Sequence, residues 1–296
     1  MTDFSLEFVF ASGEKHSPKA EPSEWLLKCN ADTVADSLTV RFSVGKRLFM
    51  EEPVGAVLKK DGAVIFDGIV DEHRVKCQNG ARTEVFFLRS RAALLLDNEA
   101  APMELRLPSL RLLERMYLMP LGLHAVGGDR RPVEGVLTVE KGVSCFEALQ
   151  TFSERYLNCT PYTDKNGGVH FESYVPKTVK PDWVTAREVI FCPYKMLSGV
   201  TVQNAQTGAY SAEYHDPLAP QVRVRYLSAY AKTAPTALLN ESRRAAKRLK
   251  LTCASYIDGN MGDTMRTEEL GEVRLISKNV LLRGKDVKTE LHFEPV

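Results

Sequence analysis

Hydrophobic and polar residues alternate at the start of the chain. In residues 4–10, the side chains of Phe4, Leu6, Phe8 and Phe10 fall on one side of an extended backbone. A period of two is typical of a strand that has one buried face. The segment therefore predicts a half-buried β-strand.

The same alternation continues through the next segments and predicts a meander. Asp61-Gly62 and Asn79-Gly80 have the sequence of tight turns, because Asp or Asn followed by Gly accepts positive φ. The predicted strands around these turns are residues 37–44, 54–60, 63–76 and 83–89. Together with the first strand they give a sheet of about five strands, which is enough for a small barrel or sandwich.

Helical spacing replaces the alternation in the middle of the chain. Apolar residues three and four apart predict a short helix over residues 109–118, with Ser109 as its N-cap. They predict a second helix over residues 144–157, where Ser144 and Glu147 have the spacing of a capping box. A further hairpin follows, so this stretch is predicted to form a separate unit of helices and a short sheet.

Alternation returns beyond Pro176 and Pro181. Strands are predicted at residues 197–203, 210–214, 222–226, 273–278 and 290–293, and one helix at 236–252. The order of elements predicts a mainly β protein with an α+β insert. Residues 1–98 and 181–296 are each expected to form a small antiparallel β-barrel domain, the second with one helix, and residues 99–180 an α/β domain between them.

Charge, hydrophobicity and cysteine spacing exclude several classes of protein. The chain has 39 Lys and Arg against 38 Asp and Glu, so no overall field attracts nucleic acid or an anionic membrane. No apolar run approaches the ~18–20 residues that span a bilayer. The N-terminus lacks the pattern of a secretory signal, so we expect synthesis and residence in a cytoplasm. The six cysteines stand singly, which predicts reduced and mostly buried thiols.

The sequence lacks the signatures of common enzymes. It contains no nucleophile elbow, no phosphate-binding loop, no dinucleotide fingerprint and no H-E-x-x-H zinc motif. The histidines stand at positions 16, 73, 124, 170, 215 and 292, and no two are spaced to present their imidazoles on one helix face. We therefore predict no catalytic residue, no metal ligand and no cofactor site.

Two acid–histidine pairs leave an enzymatic alternative open. Asp71 with His73, and Glu213 with His215, are two residues apart, so each pair would converge on one face of a strand. A cell-envelope hydrolase could use such groups, but two ligands do not complete a metal or acid–base site. Cys145, which has no histidine beside it in the sequence, is expected to lie in the core rather than to react.

A basic segment offers a second alternative, which is nucleic-acid binding. Its cations are Arg243, Arg244, Lys247, Arg248 and Lys250. Clustered cations neutralise phosphates, but no aromatic residues accompany these to stack on bases. We therefore expect a solvated face of the predicted helix, whose Ala and Leu residues cover a sheet. The loop at residues 127–131 is similarly expected to be a mobile surface loop.

Four stretches of the chain follow the order of elements of a known family. They are residues 53–71, with the strand Phe66-Asp67-Gly68-Ile69-Val70, residues 88–97, residues 109–174, and the closing strand pair at 272–279 and 286–293. In this order they resemble the baseplate hub proteins of contractile phage tails and phage-like particles, the late-control-D-like hubs. No segment resembles a fused lysozyme, peptidase or spike, so the resemblance is to a bare hub.

The resemblance implies a structural protein rather than an enzyme. Such hubs look like two related β-barrels whose trimer forms a pseudo-six-fold ring, matching a hexameric tail tube on one side and a trimeric central spike on the other. The implied partners are the tube protein, the spike protein and other baseplate proteins, with DNA passing through the lumen without specific binding. The implied location is the tail baseplate of a virion or particle assembled in a bacterial cytoplasm. A tail-associated cell-envelope hydrolase and another baseplate or tail-completion protein are the alternatives.

Overall fold

A computed structural model of the chain describes residues 3–231 and 233–296. The strands are β1 (Phe4–Val9), β2 (Lys15–His16), β3 (Glu24–Asn30), β4 (Ser37–Val44), β5 (Gly55–Lys60), β6 (Ala63–Gln78), β7 (Ala81–Ser90), β8 (Met103–Arg106), β9 (His124–Val126), β10 (Val136–Val139), β11 (Tyr162–Thr163), β12 (Gly168–His170), β13 (Val184–Phe191), β14 (Gly199–Gln203), β15 (Tyr210–His215), β16 (Val224–Leu227), β17 (Lys247–Cys253), β18 (Thr264–Thr267), β19 (Gly271–Arg283) and β20 (Asp286–Pro295). The α-helices are α1 (Ala93–Asp97), α2 (Leu110–Leu113), α3 (Cys145–Phe152) and α4 (Pro235–Ala245). The protein is therefore mainly β, as the alternation predicts.

The chain divides into two compact units. The first unit extends to Val175 and also includes Asn279–Val287, the tip of the hairpin formed by β19 and β20. The second unit comprises Pro176–Lys278 and Lys288–Val296. The chain therefore crosses from one unit to the other more than once, and its last hairpin contributes to both.

The first unit is built on an antiparallel sheet in the order β2-β1-β5-β6-β7-β4-β3, with β19 next to β3. The meander β5-β6-β7 and the strand at residues 37–44 are found as predicted. Alternating side chains point into a core of aromatic rings, and the rings of Phe8 and Phe86 lie 4.7 Å apart. β3 is an addition to the prediction, and its Trp25 and Leu27 are buried.

Helices and short strands pack within the same unit between β7 and the start of the second unit. Both predicted helix caps are present. The Ser109 side chain accepts a hydrogen bond from the Leu112 amide at 3.2 Å, and Ser144 forms the reciprocal capping box with Glu147. π-helical turns extend α2 through Glu114–Leu118 and α3 through Ser153–Leu157. Their apolar faces enclose a separate core that includes Phe152.

The second unit contains a sheet in the order β13-β17-β20-β19, with β18 beside β19, and a three-stranded sheet in the order β15-β14-β16. Leu249, Leu251 and Phe293 lie in the core of the larger sheet, and α4 packs on the smaller one. Among the residues that the structure describes, the strand order of neither unit returns to its first strand. The sheets are therefore open in the isolated chain.

The helix predicted at residues 236–252 is corrected by the structure. It ends at Ala245, and the residues that follow form β17. β17 pairs with β13 on one side and β20 on the other, and Leu249, Leu251 and Cys253 alternate into the core. Pairing on two sides and burial of alternate residues outweigh the helical preference of a segment rich in Lys, Arg and Leu.

Candidate assembly surface

β13, an exposed strand of eight residues in the second unit, lies at the end of its sheet. Its inner neighbour is β17, and its outer edge faces no strand among the described pairings. Every residue of β13 except Ile190 is exposed. An edge strand presents a row of backbone donors and acceptors to any chain that can pair with it. β13 is therefore placed to bind another extended strand.

Two apolar side chains of β13 lie on the same face of the sheet as the core of the second unit. Val189 lies opposite Leu249 and Phe191 opposite Lys247 across the β13–β17 ladder, so both point to the face on which Leu249 is buried. Nevertheless, 50% of Val189 and 53% of Phe191 is accessible to solvent. The core of this sheet is thus left uncovered along one side.

Trp183, the residue before β13, is a further exposed apolar residue at this edge. Its backbone φ is 48°, its carbonyl accepts a hydrogen bond from the Ala254 amide at 2.9 Å, and its side chain is 76% exposed. We call Trp183, Val184, Val189 and Phe191 the β13 margin. Several exposed large apolar residues along one edge strand are typical of protein–protein contact sites.

The edges of the first unit look different. β2 is only two residues long, and beyond Val70 the free side of β6 carries Asp71, Glu72, Arg74 and Lys76. Short strands and charged side chains discourage pairing between sheet edges. The β13 margin, by contrast, is a long edge with exposed apolar side chains, which suits it to a partner.

The structure separates Asp71 from His73, the first predicted acid–histidine pair. The register shifts between Val70 and Glu72, so Asp71 lies at an irregularity in β6 and its carboxylate binds the Arg89 guanidinium. The two side chains therefore do not form the pair that the spacing predicts.

His73 instead lies between two carboxylates that the spacing did not indicate. Its Nδ1 is 2.7 Å from Glu52 Oε2, and its Nε2 is 3.2 Å from Glu84 Oε2. The ring stacks on Phe86 at 4.1 Å. Hydrogen bonding to His73 is the main cause that lowers the pKa of Glu52. Glu84 is fully buried and also binds Arg82, so the cluster connects β6, β7 and the loop that carries Glu52.

The second predicted pair is found on β15. His215 Nε2 lies 3.2 Å from Glu213 Oε2, and both side chains are more than half exposed. Neighbouring Asp216 is buried and holds both Nε and Nη2 of Arg243, at 3.0 and 2.8 Å. Arg243, the first cation of the basic segment, is therefore used to connect α4 to the loop after β15.

Replacing Asp216 with Asn is expected to destabilise the protein by about 1–2 kcal/mol at neutral pH, because the charge-assisted pair with Arg243 is lost. Hydrogen bonding to Arg243 is the largest cause that lowers the pKa of Asp216. A lowered carboxyl pKa stabilises the fold above the ordinary Asp range and ceases to do so as pH falls through the lowered value. Urea titrations from neutral to acidic pH should show the difference from the natural chain shrinking. An unchanged difference at acidic pH would contradict this role.

The other predicted sites also have structural explanations. The remaining basic residues are divided between the end of α4 and the alternating faces of β17, so they do not share one helix face. In the loop at residues 127–131, Arg130 binds Glu114 and Arg131 binds Asp129. Cys145 is buried, and burial raises the pKa of its thiol. Across residues 3–231 and 233–296, no group of three or more His, Cys, Asp and Glu residues could hold a metal ion.

No helix in the part of the chain that the structure describes is long and apolar enough to cross a membrane. Neither a protein-family profile nor a curated protein sequence matches this chain. Its similarity to known proteins is therefore found in the solved structures.

Several solved structures match over almost the whole chain. The 43 kDa tail protein of prophage MuSo2 from Shewanella oneidensis is 13% identical, with a TM-score of 0.78 over 100% of this chain and 98% of that one. The tail protein from Neisseria meningitidis MC58 is 16% identical, with a TM-score of 0.70 over 99% and 96%.

A third match is a protein of a secretion system. The Escherichia coli c3393 protein is described as a component of the type VI secretion system with structural similarity to the T4 bacteriophage tail proteins gp27 and gp5. It is 9% identical, with a TM-score of 0.56 over 99% of this chain and 77% of that one. At these identities the comparison establishes the fold, which is that of phage tail proteins.

Proposed function

We propose that this chain is the baseplate hub of a phage or phage-like contractile tail. In this role it is a trimeric adaptor that joins the hexameric tail tube to the trimeric central spike and contacts other baseplate proteins. The observation that carries the proposal is the β13 margin, an open apolar sheet edge in a chain with the fold of phage tail proteins. A ring of identical subunits covers such an edge with the next copy.

The proposed trimer needs two tube-like regions per chain to match a six-fold tube. We assign them to the strand-rich regions at residues 1–98 and 181–296, which flank the α/β region at residues 99–180. Closure of these open sheets into barrel-like rings is proposed to occur between subunits. A hub of this kind acts through extended protein–protein interfaces, so the proposed role includes no covalent chemistry and no bound cofactor. We propose that DNA passes through the lumen without specific contacts. The proposed location is the tail baseplate of a particle assembled in a bacterial cytoplasm.

The subunit count of the assembled complex tests this proposal. The chain should be co-expressed with the tube and spike proteins of its own particle, and the complex weighed by native mass spectrometry. Three copies of this 33.1 kDa chain, about 100 kDa, are expected per spike trimer. Six copies would indicate a tube-like or tail-completion ring instead. Failure to bind either partner would overturn the adaptor role.

A second experiment separates the hub from a tail-associated hydrolase. The double variant His73→Ala and His215→Ala should assemble with the same stoichiometry as the natural chain, because neither histidine lies in the β13 margin. Both proteins should be incubated with purified cell wall and the release of soluble fragments measured. Cleavage by the natural chain that the double variant has lost would favour the enzymatic alternative.

A further inference from the structure

β16, at the end of the three-stranded sheet, is another exposed edge strand of the second unit. Among the described pairings, its neighbour is β14 and no strand pairs with its outer side. Val222, Val224 and Tyr226 are all exposed, and they alternate with Arg223 and Arg225. Apolar side chains therefore occupy one face of this edge and cations the other.

The apolar side chains of β16 lie on the face of the sheet that α4 does not cover. Val224 is in register with Gly199 of β14. The next residue of β14, Val200, packs with Leu239 of α4 and so points to the other face. Val224 and Tyr226 are thus directed away from α4, as Val189 and Phe191 are directed to the uncovered side of the larger sheet.

Backbone hydrogen bonds show which groups of β13 are free to pair. The Cys192 amide donates to the Ala246 carbonyl at 2.7 Å, so the backbone groups of Cys192 face β17. These groups alternate in direction along a strand, so those of Arg187, Val189 and Phe191 point to the open edge. The residues with free backbone groups therefore include both apolar residues of the uncovered core.

The outer edge of β16 has the same property. The Gly199 amide donates to the Arg223 carbonyl at 3.2 Å, so the Arg223 carbonyl faces β14. By the same alternation, Val224 and Tyr226 present their N–H and C=O groups to the outer edge. On both strands, the residues that can accept a further strand are the ones with exposed apolar side chains.

Each edge also has a charge of opposite sign without an ion pair. Glu188 of β13 and Arg225 of β16 are both exposed. Neither forms an ion pair with a residue that the structure describes. Both side chains alternate with the apolar ones, so they lie on the opposite faces of their strands.

We infer that β13 of one copy pairs antiparallel with β16 of the next copy. The inference rests on the proposed function, because it names the surface of the neighbouring subunit that covers the β13 margin. The residues that come opposite each other with free backbone groups on both sides are Arg187 with Tyr226, Val189 with Val224, and Phe191 with Val222. On the other face Glu188 comes opposite Arg225, and such opposite charges stabilise a cross-strand pair.

Other arrangements of β13 fit these groups less well. In a parallel pair the free backbone groups would bring Val189 into register with Arg225, so a cation would replace the apolar contact. Antiparallel pairing of β13 with itself would place Glu188 opposite Ile190 and leave the charge unpaired. Pairing of β13 with β16 uses two different edges of each copy, so it can close a ring of three subunits, which a two-fold contact cannot.

Disulfide cross-linking in the assembled complex tests the pairing. Val189→Cys and Val224→Cys are introduced together in a Cys77→Ser background, which removes an exposed natural thiol. The chain is then assembled with the tube and spike proteins of its own particle. Opposite residues of a hydrogen-bonded antiparallel pair have Cα atoms ~5.5 Å apart, which suits a disulfide. Oxidation should give a covalent species of about 100 kDa that reduction returns to 33.1 kDa.

Two further variants in the same background distinguish other pairings. Val189→Cys alone should give no cross-link, and a covalent dimer from it would show that β13 pairs with itself. Val189→Cys with Arg225→Cys places the thiols on opposite faces and should also give none. Cross-linking of this second variant to the same extent as the Val189 and Val224 pair would show random contact. Either result would overturn the inference.

An exchange of charges tests the same register without cysteines. Glu188→Arg is expected to raise the concentration at which the trimer half dissociates by about ten-fold, because two cations then face each other. Adding Arg225→Glu should restore this concentration to within about three-fold of the natural value. Rescue of this kind cannot occur if the first substitution merely disrupts the fold. Mass photometry of the complex in a dilution series measures the effect, and a double variant as weak as the single one would contradict the register.

The outcomes separate this inference from the proposed function. A trimer that binds tube and spike but gives no cross-link between Val189→Cys and Val224→Cys would support the hub and overturn the pairing, leaving the β13 edge to another chain. A cross-linked ring that binds neither partner would support the pairing and overturn the adaptor role. A chain that forms no oligomer in any of these mixtures would overturn both.

Discussion

Lysine at both Val189 and Phe191 is expected to convert the proposed trimer into monomers. Both side chains are about half exposed on the uncovered side of the core, so in a ring they would be buried against the next subunit. A buried lysine there must lose its hydration, and lysines on an edge strand prevent strand pairing. Loss of apolar anchors near the centre of an interface typically weakens association by 2 kcal/mol or more, which is at least about thirty-fold. Light scattering should show a fall from about 100 kDa to about 33 kDa.

The matched control places lysine at Val75 on the charged edge of β6. Val75 is 46% exposed, close to the exposure of Val189, and it also lies on a strand edge. Its neighbours are charged, so this edge is not expected to pair with another subunit. The control should retain the mass of the natural protein. A β13 variant that stays trimeric, or a Val75 variant that dissociates equally, would contradict the assignment of the interface.

Aspartate at Val280 is expected to destabilise the first unit by about 3 kcal/mol or more, because an unpaired charge is placed in a buried apolar position. Val280 is fully buried and lies in the hairpin tip that belongs to this unit. The tip continues the sheet next to β3, where Arg283 forms an ion pair with Glu24. The far end of the chain is therefore needed to complete a sheet that begins near its start.

The two tryptophans make this effect measurable in one unit at a time. Trp25 is 1% exposed and lies in β3, whereas Trp183 is 76% exposed and belongs to the second unit. In a Trp183→Phe background, fluorescence during urea unfolding reports on Trp25 alone. Val280→Asp should lower the midpoint of this transition, and Lys285→Asp, an exposed change in the turn of the same hairpin, should leave it nearly unchanged. An unaltered Trp25 transition in the Val280 variant would show that the tip does not support the first unit.

The sequence correctly predicted those elements whose structure is determined by residues close together in the chain. The strand Ser37–Val44 was predicted at its observed bounds, because alternate residues are buried along its length. The cap at Ser144 was predicted correctly because capping depends on residues within one helical turn. By contrast, β13 gives no such signal. Arg187 and Glu188 interrupt its apolar positions, and within the chain it has no buried face.

The contacts of the candidate site residues could not be predicted from local patterns either, because their partners come from distant segments of the chain. The spacing of Asp71 and His73 predicted a pair, but an irregularity in β6 and the approach of Glu52 gave His73 other partners. The basic segment looked uniform in the sequence. Only the fold supplied Arg243 with the buried carboxylate of Asp216.

The amino-acid sequence by itself determined that the protein is mainly β, where the turns at residues 61–62 and 79–80 and the helix caps at Ser109 and Ser144 lie, and that it lacks the motifs of common enzymes. The tertiary structure decided which sheet edge stays open and apolar, where the last hairpin packs, and which charged side chains are paired. The physical reason is the separation along the chain over which each kind of interaction acts. Alternation and capping act over a few residues, whereas an edge or an ion pair depends on segments that only folding brings together, as with Arg283 and Glu24 at the two ends of the chain.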